Sequence, residues 1–169
     1  IKENIYNLSD YLNKKPEELT VCILDRPRHK EVIDDLNKLK VNIKFITDGD
    51  ISGALLVTDE KYKVDIFLGI GGGPEGVLAA TALDAYNCKF QGRFLFKTND
   101  EKNRAYNMGI KDLNKKYQIN EIVKGESIFC ATGITSGDLM NGVFKENDKY
   151  VTETIITHKK SELKLIKKV

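Results

Sequence analysis

Gly69-Ile-Gly-Gly-Gly-Pro-Glu-Gly76 stands between an apolar stretch, Val64 to Leu68, and a helix-forming run, Val77 to Tyr86. Strand, glycine turn and helix in that order form the repeating unit of an α/β fold. Such a turn lets backbone approach a ligand and points the first N–H groups of the helix at it, which makes an anion site. Pro74 suits the first helical turn, where a missing N–H does no harm. Glu75 is out of character, because a carboxylate beside a phosphate repels it unless a cation lies between them. The run therefore points to a phosphorylated ligand together with a divalent metal. It matches neither familiar nucleotide motif. Pro74 replaces the last glycine of GxGxxG, and no Gly-Lys-Ser/Thr follows either glycine run.

Working outward, the hydrophobic spacing alternates. Helix is expected over Ile5 to Leu12, Arg28 to Leu39, Ile51 to Val57, Pro74 to Tyr86 and Asp100 to Tyr117. In the last of these, Tyr106, Ile110, Leu113 and Tyr117 are expected to face inward. Strand is expected over Thr20 to Leu24, Val41 to Ile46, Val64 to Leu68, Phe90 to Lys97 and Ser127 to Ala131. Three more strands follow, Gly142 to Lys145, Lys149 to His158 and Leu163 to Lys167, with Asn147-Asp148 turning the first pair. The order predicts one α/β domain over residues 1–169. Its mostly parallel, mixed sheet has helices on both faces and an antiparallel C-terminal meander at one edge.

Bulk properties narrow the function classes. The 169 residues are 41% hydrophobic and 31% charged, with net charge +2. That balance is globular and argues against nucleic-acid or membrane partners. No apolar stretch approaches the ~20 residues of a membrane span, and no leader is expected. The lysines near the end read as the guard of an exposed edge strand. Cys22 and Cys130 lie in apolar runs and read as buried thiols in a reducing compartment; with Cys88 they make no zinc spacing.

Four polar or glycine-rich loops follow strands, and in open parallel sheets ligands bind beyond the strands' carboxyl ends. These are Asp25-Arg-Pro-Arg-His29, Asp48-Gly-Asp50, Gly69 to Gly76 and Thr132 to Asp138. Arg26 and Arg28, stiffened by Pro27, suit bidentate phosphate binding, or they are surface arginines at a helix start. Asp48 and Asp50 suit sugar hydroxyls or a metal, or they form a cap and turn. Glu75 is a metal ligand or a carboxylate favoured by the helix dipole. His29 reads as structural or solvent-facing, since no nucleophile accompanies it. Thr135, Ser136 and Asp138 read as ligand contacts or a plain turn.

These four segments, with Ile46-Thr-Asp-Gly-Asp-Ile-Ser-Gly-Ala54, Gly69 to Ala80 and Gly133-Ile-Thr-Ser-Gly-Asp-Leu139 in order, resemble the class II, GlpX-type fructose-1,6-bisphosphatases. The resemblance runs from Val21 to Leu139. It implies a sugar-phosphatase fold of the inositol-monophosphatase and fructose-bisphosphatase kind. It also implies a cytoplasmic hydrolase of gluconeogenesis and glycerol growth, dependent on Mn2+ or Mg2+. The substrate implied is fructose-1,6-bisphosphate, in some bacteria also sedoheptulose-1,7-bisphosphate. By position, Arg26, Pro27, Arg28, Asp48, Gly49, Asp50 and Gly72 match substrate-binding segments, and Glu75 matches a metal ligand. No residue is assigned to catalysis. The family's Asp-x-x-Glu-Gly-Thr segment is missing, so the chain corresponds to the C-terminal half. The expected partners are the N-terminal half of the same enzyme and further copies in a homo-oligomer, and the chain alone is expected to be inactive. The alternatives are a non-catalytic sugar-phosphate-binding module and a nucleotide-binding α/β protein.

Overall fold

The computed structural model describes residues 1–47 and 49–168. Helix α1 (Lys2–Leu12) leads into β1 (Thr20–Leu24), α2 (Lys30–Lys38) and β2 (Asn42–Ile46). Helix α3 (Asp50–Leu55) then precedes β3 (Ile66–Phe67). The three strands form a parallel sheet in the order β2-β1-β3. Val21, Cys22, Ile23 and Leu24 are all buried, because β1 is flanked on both sides and covered on both faces. On one face, Ile5 of α1 and Leu36 of α2 pack with Val21, Ile43 and Ile66. On the other, Ala54 and Leu55 of α3 pack with Phe67. Gly53 brings α3 close to the sheet, since a β-carbon there would run into Ile46 Cδ1 and stand 2.8 Å from Phe67 Cε2.

Helix α4 (Gly73–Ala85) is apolar around most of its circumference, as a helix packed between two layers must be. Ala79, Ala82 and Leu83 pack with α3, and Phe129 of the second sheet joins the same cluster. That sheet is antiparallel. It comprises β6 (Ile128–Thr132), β7 (Phe144–Glu146), β8 (Lys149–His158) and β9 (Ser161–Lys168), all paired to β8. The meander thus forms its own layer beyond α4 instead of extending the edge of the parallel sheet. Asn147 and Asp148, with φ of 47° and 62°, make the β7–β8 turn. Strand β9 pairs with β8 alone among the described strands.

Asp84, 5% exposed near the end of α4, fastens the helix to this sheet. Its carboxylate accepts from Ser127 Oγ at 3.0 Å and from Lys159 Nζ at 2.7 Å. The Lys159 ammonium holds the Asp84 carboxyl below its ordinary range; burial opposes this and the Ser127 hydroxyl assists.

Between α4 and β6 the sequence expectations need correction. The expected strand Phe90 to Lys97 is only β4 (Gln91–Gly92), because its partner β5 (Tyr117–Gln118) is equally short. The expected helix Asp100 to Tyr117 is α5 (Asn99–Asn107), followed after β5 by the one-turn α6 (Ile119–Ile122). Gly109, φ 89°, stops α5: its N–H donates to Tyr106 O at 2.9 Å and the Ile110 N–H to Ala105 O at 3.0 Å. Tyr106 is 53% exposed instead of inward-facing. Cys130 is exposed too, because β6 turns Phe129 toward α4 and alternate residues toward solvent.

Residues 133–143, between β6 and β7, close on themselves. Val143 N–H donates to Ile134 O at 3.1 Å and Gly142 N–H to Ser136 Oγ at 2.9 Å. A β-carbon on Gly142 would stand 2.6 Å from Ile134 O, and one on Gly133 would run into Asn141 O. Among the described residues, no helix is long and apolar enough to cross a membrane.

Candidate functional site

The parallel register, Leu24 opposite Ile46 and Cys22 opposite Phe67, puts the carboxyl ends of β1, β2 and β3 side by side. The loop after β1 starts as an extension of the sheet, with Asp25 N–H donating to Ile46 O at 3.0 Å. It then tightens: Arg26 N–H donates to Leu24 O at 3.0 Å, and Pro27–His29 forms one turn of 3-10 helix. Pro27 lies in the first turn of that segment and stiffens it.

From this turn Arg28 reaches across the rim. Its Nε donates to Ile70 O in the glycine loop, and its Nη2 lies 3.8 Å from Asp50 Oδ2 at the start of α3. Asp50 Oδ1 in turn lies 4.0 Å from where a β-carbon on Gly69 or Gly71 would stand. A cation, a carboxylate and bare backbone from three loops thus meet in one place. Arg28 and Asp50 are 39% and 29% exposed at their side chains, so the ion pair adds at most about 1 kcal/mol. Its larger effect is to fix where the guanidinium points. Gly49, φ 86°, permits the sharp entry into α3.

Gly72 caps α4, and Glu75 is exposed in the first turn. The Glu75 carboxylate folds back over Gly72, into the volume a side chain at that position would occupy. There it meets the positive end of the helix dipole. A ligand anion approaching this helix end meets the carboxylate first.

A model of the family described as bacterial fructose-1,6-bisphosphatase, glpX-encoded, matches residues 1–169. The chain belongs to that family. It is 36% identical to the D-fructose 1,6-bisphosphatase class 2/sedoheptulose 1,7-bisphosphatase of Trichodesmium erythraeum, across 83% of this chain and 45% of that protein. The corresponding Synechocystis protein is 37% identical over the same shares. The fructose-1,6-bisphosphatase class 2 of Haemophilus influenzae is 34% identical across 95% of this chain and 52% of its own length. The chain spans about half the length of the curated relatives it matches.

Of the positions suggested by the resemblance to the glpX-type bisphosphatases, Arg28 and Asp50 converge with Gly69 and Gly71. Gly49, Arg26 and Pro27 belong to the same loops, and Gly72 and Glu75 start α4 on the far side of the glycine loop. Asp48 lies outside the described residues. The Thr132 to Asp138 segment does not join this cluster through any described contact. It is held by its own turn and by an Asp138–Lys44 ion pair of 3.2 Å on the middle residue of β2.

His29 is the residue whose place sequence reasoning left open. It is fully buried, with Nδ1 2.8 Å from Leu24 O and Nε2 2.9 Å from the Ile70 amide nitrogen. The signal was present: His29 precedes Val32, Ile33 and Leu36 by three, four and seven residues, which puts it on the inward face of the following helix.

The donor set is short of what a divalent metal needs. Among the described residues, no group of three His, Cys, Asp or Glu side chains is gathered to hold one. Asp50 is engaged with Arg28, and Glu75 stands exposed in the first turn of α4. These residues alone do not fit a Mn2+ or Mg2+ centre.

Proposed function

We propose that this chain is the substrate-binding part of a cytoplasmic fructose-1,6-bisphosphatase that hydrolyses the 1-phosphate of fructose-1,6-bisphosphate, and that it is inactive alone. Sedoheptulose-1,7-bisphosphate, named for the cyanobacterial relatives, is the second candidate substrate. The observation that carries the reading is the meeting of Arg28, Asp50 and the glycine loop at the carboxyl end of a parallel sheet.

The chemistry assigned to these residues is recognition. Arg28, with Arg26 on the same turn, anchors a phosphate of the substrate through charge-assisted hydrogen bonds. Asp50, and Asp48 two positions earlier in the sequence, accept hydrogen bonds from sugar hydroxyls. Gly72 contacts the substrate through its backbone. Binding energy collected here orients the reacting phosphate at the other end of the sugar. The divalent metal is assigned to Glu75 together with carboxylates from outside this chain, the other half of the enzyme in a homo-oligomer. The shortage of metal donors also favours a second reading, a sugar-phosphate-binding module without catalysis.

Calorimetric titration with fructose-1,6-bisphosphate, with and without Mn2+, paired with a phosphate-release assay, tests both. Metal-independent binding without turnover from the chain alone supports the substrate-binding part. Robust turnover from these 169 residues would overturn the proposed dependence on further carboxylates.

A further inference from the structure

We infer that His29 is a positioning residue that presets the phosphate anchor by gripping the Ile70 backbone together with Arg28. The consequence for binding rests on the substrate reading above; the grip itself does not.

The hydrogen bonds assign the imidazole tautomer. Leu24 O, 2.8 Å from Nδ1, is an acceptor only, so Nδ1 carries the hydrogen. The Ile70 N–H, 2.9 Å from Nε2, is a donor only, so Nε2 presents its lone pair. The opposite tautomer would face a lone pair with a lone pair at Leu24 and an N–H with an N–H at Ile70. With Nε2 bare, its 3.2 Å approach to Ile70 O brings two acceptors together with no hydrogen between them. Arg28 Nε supplies the missing donor to that carbonyl. Two consecutive residues therefore hold both backbone polar groups of one residue, His29 the N–H of the Gly69–Ile70 peptide and Arg28 the C=O of the Ile70–Gly71 peptide. Ile70 sits within the glycine loop, where backbone torsions are otherwise least constrained.

The arrangement has a direction. His29, fully buried and tied to the end of β1, fixes the Ile70 N–H, Ile70 carries that restraint through its Cα to its carbonyl, and the carbonyl fixes Arg28 Nε. The other guanidinium edge is then oriented before any ligand arrives. Releasing the Ile70 N–H would leave Arg28 bonded to a loop free to turn, and the anchor would lose its preorganisation.

Two variants separate this from a purely structural role. Gln places its amide oxygen near the Nε2 position and can still accept from Ile70. Asn places its amide nitrogen near the Nδ1 position, retaining the Leu24 bond and losing Ile70. His29→Asn should weaken fructose-1,6-bisphosphate binding about tenfold or more, while His29→Gln stays within about threefold of the parent. Equal losses in both variants at similar melting temperatures would overturn the inference.

A direct check needs no substitution and no ligand. NMR of the 15N-labelled chain should show His29 Nδ1 protonated, Nε2 unprotonated, and a scalar coupling across the hydrogen bond from Ile70 N to Nε2. A protonated Nε2 or no such coupling would overturn it. If the parent shows no response to fructose-1,6-bisphosphate, the substrate reading fails and the grip is decided by the coupling alone.

Discussion

Asp84→Ala removes the carboxylate that receives both Ser127 and Lys159 where α4 meets the antiparallel sheet. Ser127 is 4% exposed, so its hydroxyl would be left buried without this acceptor, at a cost of about 1–3 kcal/mol. Lys159 is 44% exposed at its side chain and regains water, so the lost ion pair adds no more than about 1 kcal/mol. The expected loss is about 1–4 kcal/mol, a large fraction of the stability of an ordinary domain. For a chain of this size that lowers the melting temperature by about 2–16 °C. Urea denaturation gives the free energy, and amide exchange should place the loosening in α4 and β8. The sign with pH follows from the lowered Asp84 pKa. The carboxylate stabilises the fold fully above its unfolded value of 3.8 and loses that effect as pH falls through its lower folded value. The gap between parent and variant should therefore shrink below about pH 4. A loss under about 0.5 kcal/mol at neutral pH, or a gap that widens in acid, would refute the assignment.

Arg28→Ala should weaken fructose-1,6-bisphosphate binding about 10- to 150-fold by calorimetry, the loss of one charge-assisted phosphate contact, with little change in melting temperature. Glu75→Gln, assayed in a complete, active enzyme carrying this chain, should lower turnover and raise the Mn2+ concentration needed, leaving sugar-phosphate binding close to the parent's. Gly53→Ala should destabilise by about 1–3 kcal/mol in urea, because the added methyl meets Ile46 and Phe67 where α3 lies on the sheet.

The parallel half of the fold was legible because each strand there carries its own burial signal. Thr20 to Leu24 is apolar at nearly every position, and only a strand covered on both faces reads that way. Tyr117 looked helical because it continues the spacing of Tyr106, Ile110 and Leu113. The spacing ignores Gly109, whose left-handed backbone ends α5 eight residues earlier in the chain. Phe90 to Lys97 alternates like a strand, yet a strand also needs a partner, and β5 offers two residues. In the candidate site, Arg28, Asp50 and the glycine loop could be placed at one rim because each follows a parallel strand. The Thr132 to Asp138 loop follows a strand of the other sheet, a distinction that local sequence does not carry. His29 needed two facts at once, that its helix face is inward and that a glycine loop 41 residues away offers it an amide.

The neck at Gly133 and Gly142 divides the chain's tolerance of change unevenly. The two ends of the loop already lie together on the sheet, so lengthening the tip around Gly137 adds closure entropy of about 0.6 kcal/mol for a doubling, besides the Gly137–Met140 backbone bond it disturbs. One methyl group at either neck glycine, by contrast, strikes main-chain oxygen that has nowhere to move. The segment can therefore host a graft at its tip, on condition that the two smallest residues holding it shut are left untouched.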